Sequence, residues 1–103
     1  MRVTYPTAIV LYALARGHRY GFGIIDATGL GAGTVYPILR RLEAEALARS
    51  SWGPVGGARA AGRPPRRNYR LTADGQEAAR EAVARYPAIA AQFASAAPGA
   101  ADA

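Results

Sequence analysis

The sequence predicts a mainly α-helical fold, a winged helix-turn-helix with a two-stranded β wing and a short C-terminal helix. Three observations carry that reading. One amphipathic helix begins near Thr34, with Val35, Ile38, Leu39, Leu42 and Ala46 recurring at i, i+3, i+4, i+7 and i+11. An arginine-rich Gly/Pro run then separates two short strand-like segments around Trp52 and Tyr69-Arg70-Leu71. Threonines at helix-capping positions, Thr4 and Thr72, open the first and last helices.

Thr4 with Pro6 just inside the first turn predicts a helix over 7–15, with Leu11 and Leu14 inward and Gly17 as its stop. Residues 20–28 read as a weak helix, because two glycines each cost roughly 1 kcal/mol against alanine. Packing of Phe22, Ile24 and Ile25 would have to sustain it. After the glycine turn 29–33, Pro37 is tolerable only in a first helical turn, so the amphipathic helix should start at Gly33 or Thr34 and run to about Ala48. Thr72, followed by Asp74 and Glu77, starts a helix bearing Ala79, Val83, Tyr86, Ala90 and Phe93, which Pro87 should kink or split. The expected division is a winged segment 1–72, a dimerisation helix 73–95 and a tail 96–103 without fixed structure.

Charge narrows the function. The chain has 103 residues, thirteen arginines, no lysine and seven acids, a net charge of +6. Arg49, Arg59, Arg63, Arg66, Arg67 and Arg70 fall between Ala46 and Ala73 with no acid among them, so the whole excess sits in one segment. Focused positive charge suits a polyanion. An anionic membrane is the weaker target, since the segment lacks apolar anchors. A single-strand reader would display stacking aromatics on a sheet, and few are available here.

Other chemistry is poorly supplied. With no cysteine and one histidine, His18, neither a thiolate nucleophile nor a multi-histidine metal site is available, and we expect no metal, cofactor or catalytic residue. Glu43 and Glu45 point to different helix faces, a poor acid–base pair. The glycine turn lacks the Lys-Ser/Thr of a phosphate loop. His18 reads as a solvated loop residue, and Trp52 as a core residue opening a wing strand. No apolar leader or membrane-length segment is present, from which we expect a cytoplasmic protein without membrane contact.

The polar side of the amphipathic helix holds Thr34, Tyr36, Pro37, Arg40, Arg41 and Ala44. In a helix-turn-helix the second helix of the pair enters a major groove, so this side would meet base edges and phosphates of double-stranded DNA, while arginines on the wing follow phosphates or the minor groove. Arg40 and Arg41 could instead merely solvate an exposed face and pair with nearby glutamates.

Three stretches, 20–25 (Tyr-Gly-Phe-Gly-Ile-Ile), 33–43 (Gly-Thr-Val-Tyr-Pro-Ile-Leu-Arg-Arg-Leu-Glu) and 62–75 (Gly-Arg-Pro-Pro-Arg-Arg-Asn-Tyr-Arg-Leu-Thr-Ala-Asp-Gly), resemble the PadR-type transcriptional regulators. The resemblance implies a homodimeric winged-helix repressor whose recognition-helix Thr and Tyr are Thr34 and Tyr36 and whose wing basics are Arg63, Arg66 and Arg67. The chain departs from that pattern in a shorter 25–33 segment, in a C-terminal helix broken at Pro87, and in Ala46, where a turn glycine is common. We therefore expect a dimeric repressor on a pseudo-palindromic operator, with a small-molecule effector possible. Leu11, Tyr12, Val83, Tyr86, Ile89 and Phe93 are expected at the subunit interface. The alternative is a winged-helix interaction module that docks an acidic partner protein.

Overall fold

A computed structural model of the chain describes residues 3–53 and 66–93. Within them lie α1 (Tyr5–Ala15), α2 (Gly21–Thr28), α3 (Ala32–Ala44), β1 (Ala48–Gly53), β2 (Arg66–Leu71), α4 (Ala73–Arg85) and α5 (Ala88–Phe93). The Arg59/Arg63 part of the basic run, the expected tail 96–103 and the side chain of Phe93 lie outside the described residues. No helix among the described residues is long and apolar enough to cross a membrane.

Helix α1 is the centre of the molecule. Thr4 caps it, its Oγ1 accepting from the Thr7 amide at 3.5 Å. Leu11 and Leu14 face inward as expected, but so do Thr7, Ala8, Ile9, Val10 and Ala13, which makes α1 buried on most of its circumference rather than along one stripe. A helix apolar nearly all round must be covered on several sides, and α2, α3, α4 and β2 all contact it. It ends in a Schellman closure: Gly17, at φ 101°, donates to the Leu14 carbonyl (3.1 Å) and His18 to that of Ala13 (3.1 Å). That closure turns His18 inward. It is 2% exposed, so it is not the solvated loop residue that its arginine neighbours suggested.

Ile24 is fully buried and Ile25 half-buried against the core, but Phe22, expected to help sustain α2, is 70% exposed. Buried Gly21 and Gly23 take the inward positions instead. Thr28 and Gly29 close the helix: the Thr28 hydroxyl donates to the Ile24 carbonyl (2.7 Å) and accepts from the Leu30 amide (3.2 Å), while Gly29 adopts φ 75°.

α3 starts at Ala32, ahead of the expected Gly33–Thr34, with Gly31 as its N-cap. Pro37 therefore stands inside the helix, beyond the first turn. Lacking an N–H, it leaves the Gly33 carbonyl without its usual i+4 donor, and both residues are exposed, where water serves that carbonyl. At its other end α3 stops at Ala44, earlier than the stripe suggests, because Ala46 takes φ 61°. The closing bonds run from the Ala46 amide to Glu43 O (3.1 Å) and from the Leu47 amide to Leu42 O (2.8 Å). Ala46 is thus an exposed left-handed turn residue rather than the last member of the apolar stripe.

The antiparallel hairpin pairs Ala48 with Leu71, Ser50 with Tyr69 and Trp52 with Arg67 on one face, and Arg49 with Arg70 and Ser51 with Asn68 on the other. The segment between α1 and α2 docks on the outer edge of β2, with an antiparallel bridge from Tyr20 to Asn68 and the Tyr69 amide donating to Arg19 O at 2.8 Å. Trp52 is 67% exposed, which overturns its expected place in the core. On the face that carries Ser50 and Trp52, only Ala48 and Tyr69 are buried.

Thr72 joins the hairpin to α4. Its hydroxyl accepts from the Gly75 amide (3.0 Å) and donates to Ala46 O (2.7 Å), and its amide donates to Leu47 O (3.0 Å). A Cβ on Gly75 would run into that same Leu47 carbonyl, so glycine lets α4 approach the α3–β1 turn. Ala79 and Ala82 pack into the core beside α1, and Pro87 separates α4 from α5, whose Ile89 is fully buried.

The left-handed Ala46 gives a direct test. Its αL conformation costs about 1–2 kcal/mol, and glycine returns about 0.4–1 of that as unfolded-chain entropy, so Ala46→Gly should stabilise the protein by about 0.5–1 kcal/mol in urea unfolding. A loss of stability would contradict the turn geometry.

Candidate nucleic-acid interface

The packing of α3 determines what its other side offers. Val35, Leu39 and Leu42 are completely buried and Ile38 nearly so, and that stripe faces α1 and α2. Each such side chain contributes roughly 1.5–3 kcal/mol by burial, against less than about 1 kcal/mol for a surface ion pair. The apolar stripe therefore sets the rotation of the helix. Thr34, Pro37, Arg40, Arg41 and Ala44 are left exposed, with Gly33 beside them. Thr34 lies in the first turn, its own amide donating to the Gly31 carbonyl at 3.0 Å.

Tyr36 departs from this pattern. It is half-buried and packs against the core, its ring and hydroxyl set against the backbone of Gly21. A side chain on Gly21 would occupy the space of the Tyr36 ring. This contact joins the two helices of the helix-turn-helix, so Tyr36 fixes their relation as well as bordering the exposed face.

On the wing, Arg66 and Arg67 are exposed, and each also has a partner in the protein. The Arg66 guanidinium lies 3.9 Å from the centroid of the Tyr20 ring, a close cation–π stack on a buried aromatic. Arg67 donates from Nε to Ser50 Oγ (2.9 Å) and from an Nη to Glu43 Oε2 (3.3 Å), and the Ser50 hydroxyl donates to the same Glu43 oxygen (2.6 Å). Its guanidinium also lies 5.5 Å from the Trp52 ring centroid. Tyr69, beneath this network, has its phenol pushed above the usual value, chiefly by burial, with Arg67 pulling the other way, so it stays a neutral hydroxyl. Arg63 lies outside the described residues.

Sequence reasoning missed the roles of Glu43, Ser50 and Tyr20. Glu43 pointed only to i+3 or i+4 partners on its own helix, whereas its partners come from both strands of the hairpin. Only the strand register, which sets Ser50 and Arg67 on one face, could have signalled them.

The profile of the transcriptional regulator PadR-like family matches residues 10–81, which span α1 from its middle, the whole of α2, α3 and the described hairpin, and most of α4. The chain belongs to the PadR-like family of transcriptional regulators. Solved structures agree on the fold. A PadR family transcription regulator from hypervirulent Clostridium difficile R20291 superposes with a TM-score of 0.68 at 22% identity, covering 85% of this chain and 93% of that one. A PadR family transcriptional regulator from Eggerthella lenta DSM 2243 is 28% identical with a TM-score of 0.57, over 80% of this chain and 74% of that one. A PadR-like transcriptional regulator from Bacillus cereus gives 0.62 at 20% identity, over 82% and 84%. No curated protein sequence matches the chain.

The residues expected at a PadR-like subunit interface fall into three groups. Leu11 and Ile89 are fully buried within the chain's own core. Tyr12, Val83 and Tyr86 are half-buried at the surface. Tyr12 and Val83 line an apolar groove between α1 and α4 with Ala15, Ala79 and the stems of Gln76 and Arg80, whereas Tyr86 packs edge-on against Tyr5 at 5.5 Å. The side chain of Phe93 is outside the described residues.

Gly21→Ala should displace the Tyr36 ring and destabilise the protein by about 1–3 kcal/mol, as overpacking does. Gly33→Ala, with nothing near its added methyl, should be neutral or stabilising by up to about 1 kcal/mol. Equal effects of the two in urea unfolding would refute the Gly21–Tyr36 contact.

Proposed function

We propose that this PadR-like chain is a sequence-specific DNA-binding transcriptional repressor of the cytoplasm, acting as a homodimer on a pseudo-palindromic operator. The observation that carries the proposal is the outer face of α3. Thr34, Arg40 and Arg41 are exposed together because the opposite stripe is spent on the core, and an arginine-bearing hairpin stands beside them. A helix of this width fits a major groove, where arginine bridges O6 and N7 of guanine or clamps a phosphate. Thr34 and the helix-start N–H groups would hold backbone phosphates.

The dimer reading rests on the groove between α1 and α4, where Tyr12 and Val83 leave apolar surface that a second subunit would cover. Two-fold symmetry would then present two α3 helices to successive major grooves about 34–36 Å apart. A small-molecule effector would act by favouring a subunit arrangement with the wrong spacing.

Operator affinity should fall steeply with salt, because several arginines displace counterions. Arg40→Ala should lose about 1–3 kcal/mol more on the operator than on random DNA if Arg40 reads a base. Gel shifts against the chain's own upstream DNA, with random competitor, measure both. A flat salt dependence, or capture of an acidic protein with no DNA retained, would favour the interaction-module reading. Separately, Val83→Asp should give monomers in sedimentation with weak operator binding. A persistent dimer would move the interface away from the α1–α4 groove.

A further inference from the structure

We infer that Glu43, an acid on the proposed recognition helix, is a positioning residue that sets the wing against α3 by holding Arg67 and Ser50, and that Arg67 acts through it rather than on DNA phosphate. This deepens the DNA-binding reading and rests on it.

The geometry is a closed triangle. Ser50 on β1 donates to Glu43 Oε2 at 2.6 Å, Arg67 on β2 donates to Ser50 at 2.9 Å, and Arg67 reaches Glu43 at 3.3 and 3.5 Å. One carboxylate on α3 thereby holds both strands of the hairpin. Strand register places Ser50, Trp52 and Arg67 on the same face, so the Trp52 ring flanks the guanidinium and restricts it. As an isolated, partly exposed pair, Glu43 and Arg67 would contribute little stability. The network's effect is on orientation, because α3 and the hairpin otherwise meet mainly through the buried residues at the base of the strands.

Electrostatics favours the same assignment. Glu43 is one turn along α3 from Arg40, a residue of the face that would meet a polyanion. If Arg67 turned away to a phosphate, a half-buried carboxylate would be left uncompensated beside DNA, which costs both desolvation and repulsion. Keeping Arg67 on Glu43 neutralises that charge.

The two assignments predict opposite signs for Glu43→Gln. If Arg67 is a phosphate ligand, removing the acid frees it and deletes a repulsive charge, so operator binding tightens. If Glu43 positions the wing, operator binding weakens by at least about tenfold even though the protein has become more positive, while random-DNA binding changes by less than about twofold. Ser50→Ala should shift the operator in the same direction. The double variant Glu43→Gln/Arg67→Ala should be no weaker on the operator than the weaker single variant, since both remove one coupled network. The salt slope of Arg67→Ala should match wild type, whereas that of Arg40→Ala should fall by about 1.

A tighter Glu43→Gln, or a slope lowered in Arg67→Ala as much as in Arg40→Ala, overturns the inference. Amide exchange on the DNA-free protein makes the test independent of the DNA reading. Backbone amides of β1 and β2 should exchange severalfold faster in Glu43→Gln, with those of α1 unchanged. If wild type shows no preference for its operator, the DNA reading fails. Unchanged hairpin exchange then rejects the positioning role as well, and faster exchange retains it.

Discussion

The constraint on which the rest depends is the burial of α1. Because Thr7, Ala8, Ile9, Val10, Leu11, Ala13 and Leu14 are all covered, three other helices and a strand must surround one short central helix. The α3 stripe is one of those covers, and its packing leaves a single rotation in which Val35, Ile38, Leu39 and Leu42 are all dry. The exposed arginines are then positioned by hydrophobic packing on the opposite side, at a cost in free energy far greater than any ion pair could oppose.

The alanine-rich composition explains how so small a chain achieves this enclosure. Ala8, Ala13, Ala79 and Ala82 bury little area each but allow α1 and α4 to approach closely, and Gly75 brings the start of α4 onto the α3–β1 turn. The same close approach couples the wing to the core. Thr72 bonds to Ala46 and Leu47 at the end of α3, and the Tyr20–Asn68 bridge ties the other edge of β2 to the start of α2. The described part of the hairpin is therefore held at its base from both sides.

Most of the fold was legible because its signals are local. Thr4 and Thr72 as caps, Gly17 as a stop, the glycine turn that opens at Gly29, the α3 stripe and the break at Pro87 are written in neighbouring residues, and the element order follows from them. The errors share one cause, tertiary context overriding local pattern. His18 is turned inward by a Schellman closure, Phe22 stays outside because buried Gly21 and Gly23 take the inward positions of α2, Trp52 lies exposed beside Arg67, and α3 ends early at a left-handed alanine that periodicity alone reads as helical. At the candidate site, the exposed positions Thr34, Pro37, Arg40 and Arg41 were visible in the 3.6-residue period. Tyr36 was misjudged as simply outward-facing, because its contact with Gly21 belongs to the packing of two helices.

Charge counting also needs the register to be interpreted. Arginines without acids between Ala46 and Ala73 suggest six equivalent cations, yet the structure assigns the described ones different surroundings. Arg66 is stacked on Tyr20 and Arg67 is paired with Glu43 from outside the segment, while Arg49 and Arg70 stand directly opposite each other on the other face of the hairpin. Like charges facing across a strand pair are destabilising, and solvent exposure of both guanidinium groups is what reduces that cost. The charge excess therefore divides between arginines that organise the wing and arginines that project from it. An anion approaching α3 meets Arg40 and Arg41 on a helix whose orientation the core has already fixed.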